Sequence, residues 1–210
     1  MPPHAPAPPV VPRDDRYAPP SDAACEVLGR ALDVIIADPD GWDQDVYGRR
    51  EACGTAFCLA GHVAVTVLGY RPVWSGGRDA SLLSVVTSSG RRTPPDHAAA
   101  HALELLTTDP ELNVGWYPDA RAERLFAAAR SLRRLLDLAF LYTQGRVDRF
   151  AAYDRLAGTH PWLVDRDAQL DAEDGGHAAA RWRSRQRTAE ANGERTRPTS
   201  DRVYWERELS

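Results

Sequence analysis

The feature that most constrains this chain is an apolar run in its second quarter, CGTAFCLAGHVAVTVLGY, at residues 53–70. From Ala56 to Leu68 almost every position is apolar or small, which is typical of a helix buried on all sides in the centre of a domain. Gly61 interrupts that run and lowers helix stability by about 1 kcal/mol relative to Ala. We therefore predict a central helix over 56–68, with Gly61 as the point where another segment of backbone comes close.

Apolar residues at helical spacing indicate several further helices around the central one. Ser21 is a typical N-cap residue before the first of them, and turn residues end that helix at Asp38. Prolines followed by an acidic residue, as at 93–96, are typical of another helix start. We predict these two helices, three later ones and a small β-hairpin; the later helices are at 119–129, 131–143 and 148–157, and the hairpin lies within 70–92.

The predicted fold class is mainly α: a compact helical domain around the buried central helix, with a small β-hairpin and disordered termini. Residues 1–20 are rich in proline, which fixes φ and removes a backbone donor, so we expect an extended, disordered arm there. Residues 21–163 form the predicted helical domain. Residues 164–210 are first acidic and then rich in arginine, which predicts a flexible tail.

Composition excludes several classes of function. All 26 basic residues are arginine, so chemistry that needs lysine, such as a Schiff base or a phosphate-loop lysine, is excluded. No apolar run reaches the roughly 18 residues of a membrane helix, and we predict no membrane contact. The net charge of -4 gives no overall attraction to nucleic acid. Three cysteines are too few, and odd in number, for a disulfide scaffold, which predicts a reducing, cytoplasmic setting.

The densest group of chemically versatile residues is Cys53-x4-Cys58-x3-His62. One interpretation is a zinc site, because thiolate and imidazole are ligands that zinc prefers in fours or, at catalytic sites, in threes. Its ligands would be Cys53, Cys58 and His62, with His101 completing the set. The spacing matches no common zinc-finger pattern.

A second interpretation is a nucleophilic thiol. Cys58 near a helix N-terminus would have its thiolate stabilised by exposed amides and the helix dipole. His97 or His101 would act as base, with His62 one helical turn from the thiol and Gln44 as an oxyanion donor. The third interpretation is packing alone. Unpaired cysteines are among the most buried residue types, so Cys58 would be core and His62 a hydrogen-bonded group at its edge. We favour this one.

A second group, Trp42, Gln44 and Tyr47, has the composition of a small ligand site, since aromatic rings stack on a ligand and an amide orients it. The alternative, which we favour, is that Trp42 packs against the helices while Gln44 satisfies groups at a helix end.

In the tail, arginines alternate with Trp182 over 181–197, which predicts weak, salt-sensitive nucleic-acid binding or, more simply, a solvated segment.

These motifs together resemble a group of small proteins from actinobacteria and their phages. The resemblance lies in Trp42, Gln44 and Tyr47, in the CGT-to-AGH core of residues 53–62, and in later leucine-rich segments at 105–106, 125–126 and 132–136. It covers about residues 24–145 and leaves out both ends of the chain. The group has no established activity, so the resemblance implies an origin and a domain and no mechanism.

The leading functional hypothesis is a non-enzymatic accessory or regulatory protein-interaction module of an actinobacterium or its phage. The first alternative is a thiol- or zinc-dependent enzyme centred on Cys53, Cys58 and His62. The second is a nucleic-acid-associated protein that uses the arginine-rich tail.

Overall fold

The computed structural model describes residues 19–44, 46–51, 54–77, 79–109, 114–118, 122, 125–126, 131–170 and 172. Its helices are α1 (Asp22–Ala37), α2 (59–67), α3 (Pro95–Ala102), α4 (Leu132–Tyr142), α5 (Phe150–Thr159) and α6 (161–170). Helix α2 begins as an α-helical turn over Leu59–Gly61 and continues as a π-helix over His62–Val67. Its strands are β1 (Gly48–Glu51), β2 (Gly54–Phe57), β3 (Arg71–Trp74), β4 (Ala80–Val86), β5 (Arg92–Thr93), β6 (Leu106–Asp109) and β7 (Val114–Pro118).

Local capping explains where two of the predicted helices begin. The Ser21 hydroxyl accepts a hydrogen bond from the Ala24 amide at the start of α1, and the Ser131 hydroxyl accepts one from the Arg134 amide at the start of α4. The predicted helices at α1, α3, α4 and α5 are confirmed. The one predicted over 119–129 lies largely outside the described residues.

The prediction of a mainly α fold underestimates the strands, because the described residues form a mixed α/β structure. The predicted hairpin is present as β3 and β4, and it belongs to a five-stranded antiparallel sheet in the order β2-β1-β4-β3, with β5 also paired to β4. A separate two-stranded sheet joins β6 to β7. β1 and β2, with the sequences GRRE and GTAF, have no alternation of apolar and polar residues, so the period-2 signal of a strand is missing from both.

The predicted start of the central helix is wrong by several residues. Gly54–Phe57 is strand β2, and the helix begins at Leu59 with Cys58 as its N-cap. The backbone explains this, since the Phe57 carbonyl accepts from Asp43 and the Cys58 amide donates to Val46. Backbone groups used in that way are not available to a helix.

The helix α2 lies between two apolar clusters. On one side Leu59 and Val63 belong to the main core, which also contains the leucines of α1 and α4. On the other side Ala64 packs with Leu82 and Val85 of β4 in a smaller cluster beneath the sheet. Residues 58–64 are therefore buried, as the composition predicts, whereas Val65, Val67 and Leu68 are half-buried and Thr66 is exposed. None of the described helices is both long and apolar enough to cross a lipid bilayer.

A buried carboxylate fastens α6 to the start of α4. Asp167 is 4% exposed and accepts hydrogen bonds from the Leu132 and Arg133 amides, each at 2.9 Å, and from the Tyr153 hydroxyl at 2.7 Å. With Ser131 these contacts satisfy the first amides of α4, which have no partner inside the helix. Helix α6, which packs against α4 through Asp167, therefore extends beyond residue 163, the predicted end of the domain.

We predict that Gly61→Ala strongly destabilises the protein. A Cβ atom at this position would lie 2.0 Å from the Tyr47 carbonyl oxygen, so either β1 or α2 would have to shift. Gly158 of α5 is the matched control, because a Cβ atom there meets no atom within 4 Å. In urea denaturation we expect a loss of about 2 kcal/mol or more for Gly61→Ala and a gain of up to about 1 kcal/mol for Gly158→Ala. Equal effects would contradict the close approach.

We predict that Asp167→Ala lowers the free energy of unfolding by about 2–4 kcal/mol, because two amides and one hydroxyl lose their acceptor. Asp165, which is exposed on the same helix, provides the control. Asp165→Ala should stay within about 0.5 kcal/mol of the parent protein. Urea denaturation measures both variants, and equal stability would mean that α6 is not held through Asp167.

Candidate functional site

The site begins at Gln44, whose side chain joins three segments of the chain. Its carboxamide oxygen accepts from the Trp42 indole and from the Leu59 amide, both at 3.1 Å, and its nitrogen donates to the Leu125 carbonyl at 3.1 Å. Leu59 is the first residue of α2, so Gln44 satisfies an amide at the helix start. With its oxygen and nitrogen both hydrogen-bonded inside the protein, Gln44 is not placed as an oxyanion donor.

Trp42 is 1% exposed and is covered by α6. The Arg166 guanidinium lies 5.3 Å from the centre of the Trp42 ring and donates to the Trp42 carbonyl at 3.2 Å. The ring is therefore enclosed, and no face of it is open for a ligand to stack on. This is the packing arrangement that the sequence analysis favours for Trp42 and Gln44.

Cys58 immediately precedes Leu59, whose amide bonds to Gln44, and its side chain is 3% exposed. Its sulfur is 3.9 Å from the Tyr47 carbonyl oxygen, to which it donates a weak hydrogen bond. Burial raises the pKa of the thiol to about 11, although hydrogen bonds from the Gly61 and Ala60 amides act in the opposite direction. Desolvation outweighs the helix N-terminus, so the thiol is protonated at neutral pH.

His62 is also buried, and both of its ring nitrogens are in use. Nε2 lies 3.3 Å from the Gly41 carbonyl oxygen and Nδ1 lies 3.5 Å from the Thr66 hydroxyl. Because a carbonyl only accepts, Nε2 carries the proton and Nδ1 is the acceptor. Burial lowers the pKa of His62 to about 4, against the smaller effect of the Gly41 hydrogen bond. The imidazole is neutral near pH 7, and its nitrogens contact Gly41 and Thr66 instead of Cys58.

Tyr47 differs from the other members of the group, since its side chain is 40% exposed. Burial of part of the phenol, followed by the charge and hydrogen bond of Asp96, raises the pKa of Tyr47 to about 12. One carboxylate oxygen of Asp96 is itself buried without a hydrogen-bond partner among the described residues. The sequence analysis missed Asp96 as a partner of Tyr47, because the two residues are far apart in the chain.

His97 and His101, on α3, do not form a metal-ligand cluster with Cys58 and His62 in the described structure. His101 is exposed on α3 and His97 is half-buried there, and neither imidazole hydrogen-bonds to another described residue. Cys53, one of the four predicted zinc ligands, lies outside the described residues. Within the part of the chain that the structure describes, no three side chains of His, Cys, Asp or Glu come together as metal ligands. The arginine-rich segment 181–197 also lies outside that part.

The chain matches no protein-family model, no curated protein and no solved structure.

We predict that His62 makes the protein less stable in mild acid. The unfolded chain binds a proton near pH 6.5 and the folded chain only near pH 4, so stability rises with pH between those values and is lost as the pH falls through them. From about pH 7.5 to about pH 5 the loss attributable to His62 is about 2 kcal/mol.

Urea denaturation at the two pH values tests this. The pH dependence should shrink by about that amount in His62→Gln and persist in His101→Gln, because His101 is exposed. An unchanged pH dependence in His62→Gln would show that His62 is not held neutral by burial.

Proposed function

We propose that the protein is a non-enzymatic accessory or regulatory module of an actinobacterium or its phage, acting in the cytoplasm through contacts with other proteins. The observation that carries this proposal is the state of Cys58, the strongest nucleophile candidate. Its thiol is 3% exposed, protonated at neutral pH and hydrogen-bonded to a backbone carbonyl. A catalytic cysteine needs the opposite: a thiolate, an adjacent base and access for a substrate.

The other candidate groups support the same proposal. The nitrogens of His62 and the carboxamide of Gln44 are used by internal hydrogen bonds, so neither is free to transfer a proton or to bind an oxyanion. Within the CGT-to-AGH core, residues 58–62 are buried beside the main apolar cluster, which supports a packing role for this part of it.

The surface supports a role in binding. Large apolar side chains are exposed on several elements of the described chain: Tyr47, Leu83, Trp162 and Val164 are 40%, 54%, 39% and 47% exposed, respectively. Exposed aromatic and aliphatic side chains are the usual anchors of protein interfaces, although single ones are also common on monomers.

Thiol reactivity tests the proposal. In Cys25→Ser/Cys53→Ser, Cys58 is the only remaining cysteine. Since its pKa is about 11 and the ordinary value is 9.0, the thiolate fraction of the native protein is about 100-fold below that of the unfolded chain. We expect Ellman's reagent to react with the native variant at least about 100-fold more slowly than with the same variant in urea.

A native thiol that reacts as fast as the unfolded one, or faster, would contradict the proposal. So would turnover of a substrate that Cys58→Ala abolishes while the melting temperature stays that of a folded protein. Cys25→Ala is the matched control for that comparison, because Cys25 is a second buried cysteine, in α1, and is not a member of the candidate site.

A further inference from the structure

One end of the five-stranded sheet presents two arginines in a single row. Arg71 of β3 and Arg92 of β5 both pair with Val86 of β4, one from each side. Directly opposite residues of antiparallel strands project on the same face. Because neighbouring strands lie about 4.8 Å apart, the two arginines flank Val86 with roughly 10 Å between their Cα atoms.

The next row places further residues on this face. Val73 pairs with Ser84, two positions along each strand, and the Arg92 guanidinium donates to the Ser84 hydroxyl at 2.6 Å. We call the face formed by Arg71, Val73, Ser84, Val86 and Arg92, with the adjacent Leu83, the outer sheet face. On the central strand β4, Val86 is half-buried and Ser84, bonded to Arg92, is 6% exposed. Leu83 is the exposed apolar side chain of this face, and its two sides are cationic.

The opposite face of the same strands is the buried one. Leu82 and Val85 are 4% and 0% exposed and pack with Ala64 of α2 and Ala98 of α3. Leu83 lies between them in sequence at an irregularity of the β3–β4 pairing and is 54% exposed. The described helices therefore cover one face of the β3–β4–β5 region and leave Leu83, Arg71 and Arg92 in solvent.

Within the part of the chain that the structure describes, the arginines at this end have no acidic partner. Among the described residues, no carboxylate lies within ion-pair distance of Arg71, Arg91 or Arg92. By contrast, Arg146 and Arg149 are paired with Asp22 and Asp33 of α1. Arg92 uses Nε for its bond to Ser84, and with respect to the described residues its two terminal nitrogens and the Arg71 guanidinium have no carboxylate partner.

We propose that the outer sheet face docks an acidic segment of a partner protein, with carboxylates on Arg71 and Arg92 and an apolar side chain over Val86 and Leu83. This inference rests on the proposed function and names the class of partner. Charge complementarity argues for an acidic partner, and the exposed Leu83 argues for a polypeptide. Nucleic acid is disfavoured because base stacking needs exposed aromatic side chains, and Tyr70 and Trp74 are both partly buried against the smaller apolar cluster on the inner side.

The face, not the edge, is the docking surface. β3 is the outermost strand on its side of the sheet, and Pro72 in its middle lacks the amide that an added strand would use. A partner therefore binds across the side chains. Exposed guanidinium groups attract an acidic segment over a distance comparable to the Debye length, which makes the association sensitive to salt.

Fluorescence anisotropy of the full-length protein tests this with a short fluorescein-labelled peptide of alternating glutamate and leucine as probe. We expect salt-sensitive binding that is weakened about tenfold in Arg71→Gln/Arg92→Gln, because two exposed ion pairs are lost. Leu83→Ser should weaken binding about threefold by removing apolar contact. Arg155→Gln, which replaces an exposed arginine of α5, should bind as the parent protein does.

Melting temperatures of all variants are measured alongside, and Leu83→Ser decides alone if the double variant is unfolded. The inference is overturned if the peptide does not bind, if Arg155→Gln weakens binding as much as the double variant, or if the same substitutions instead weaken binding of an oligothymidylate that binds more tightly than the peptide. The thiol measurement on Cys58 is independent of this assay, so a failed docking surface and a failed proposed function can be told apart.

Discussion

The carboxamide of Gln44 is the contact on which the central part of the structure depends. It hydrogen-bonds to groups 2, 15 and 81 positions away in sequence, on Trp42, Leu59 and Leu125. Each of these groups is buried, and a buried polar group left without a partner costs about 1–3 kcal/mol. The positions of the loop before β1, the first turn of α2 and the segment at Leu125 therefore depend on one another. Trp42 is fixed by the same requirement and becomes the surface on which Arg166 of α6 rests.

Burial of the central segment also determines its chemistry. Cys58 caps a helix, and the Ala60 and Gly61 amides favour its thiolate, yet the loss of hydration is larger and the pKa rises. The same loss of hydration lowers the pKa of His62, so both groups are neutral near pH 7. A cysteine and a histidine one turn apart are reactive only when water or a counter-charge reaches them. Their inertness here follows from where α2 lies, between two apolar clusters, and not from residue type.

This distinction explains which features could be predicted from the sequence. The starts of α1 and α4 are determined locally, because the Ser21 and Ser131 hydroxyls accept hydrogen bonds from amides three residues away. The spacing of apolar side chains then predicts the extent of both helices. The close approach at Gly61 could also be predicted from an isolated glycine in an apolar helix. β1 and β2 could not, since their pairing uses the backbone and leaves no periodic pattern. Leu125 as the partner of Gln44, and Asp167 as the cap of α4, are set by tertiary contacts far apart in sequence.

The irregularity at Leu83 explains how the sheet keeps apolar side chains on its buried face and arginines on its outer face. The pairs Trp74–Leu82 and Val73–Ser84 leave Leu83 as one extra residue in β4, and an extra residue reverses the side-chain alternation that follows. Val85 then faces inward, and Val86 lies half-buried on the opposite face with the exposed Arg71 and Arg92 on either side of it. With regular alternation from Leu82, the face of Val86 would be the buried one, and two guanidinium groups would be carried inside without a carboxylate. Burying an unpaired charge is far more costly than one irregular ladder position. The cationic face and the bulge are therefore one feature of the sequence, and each requires the other.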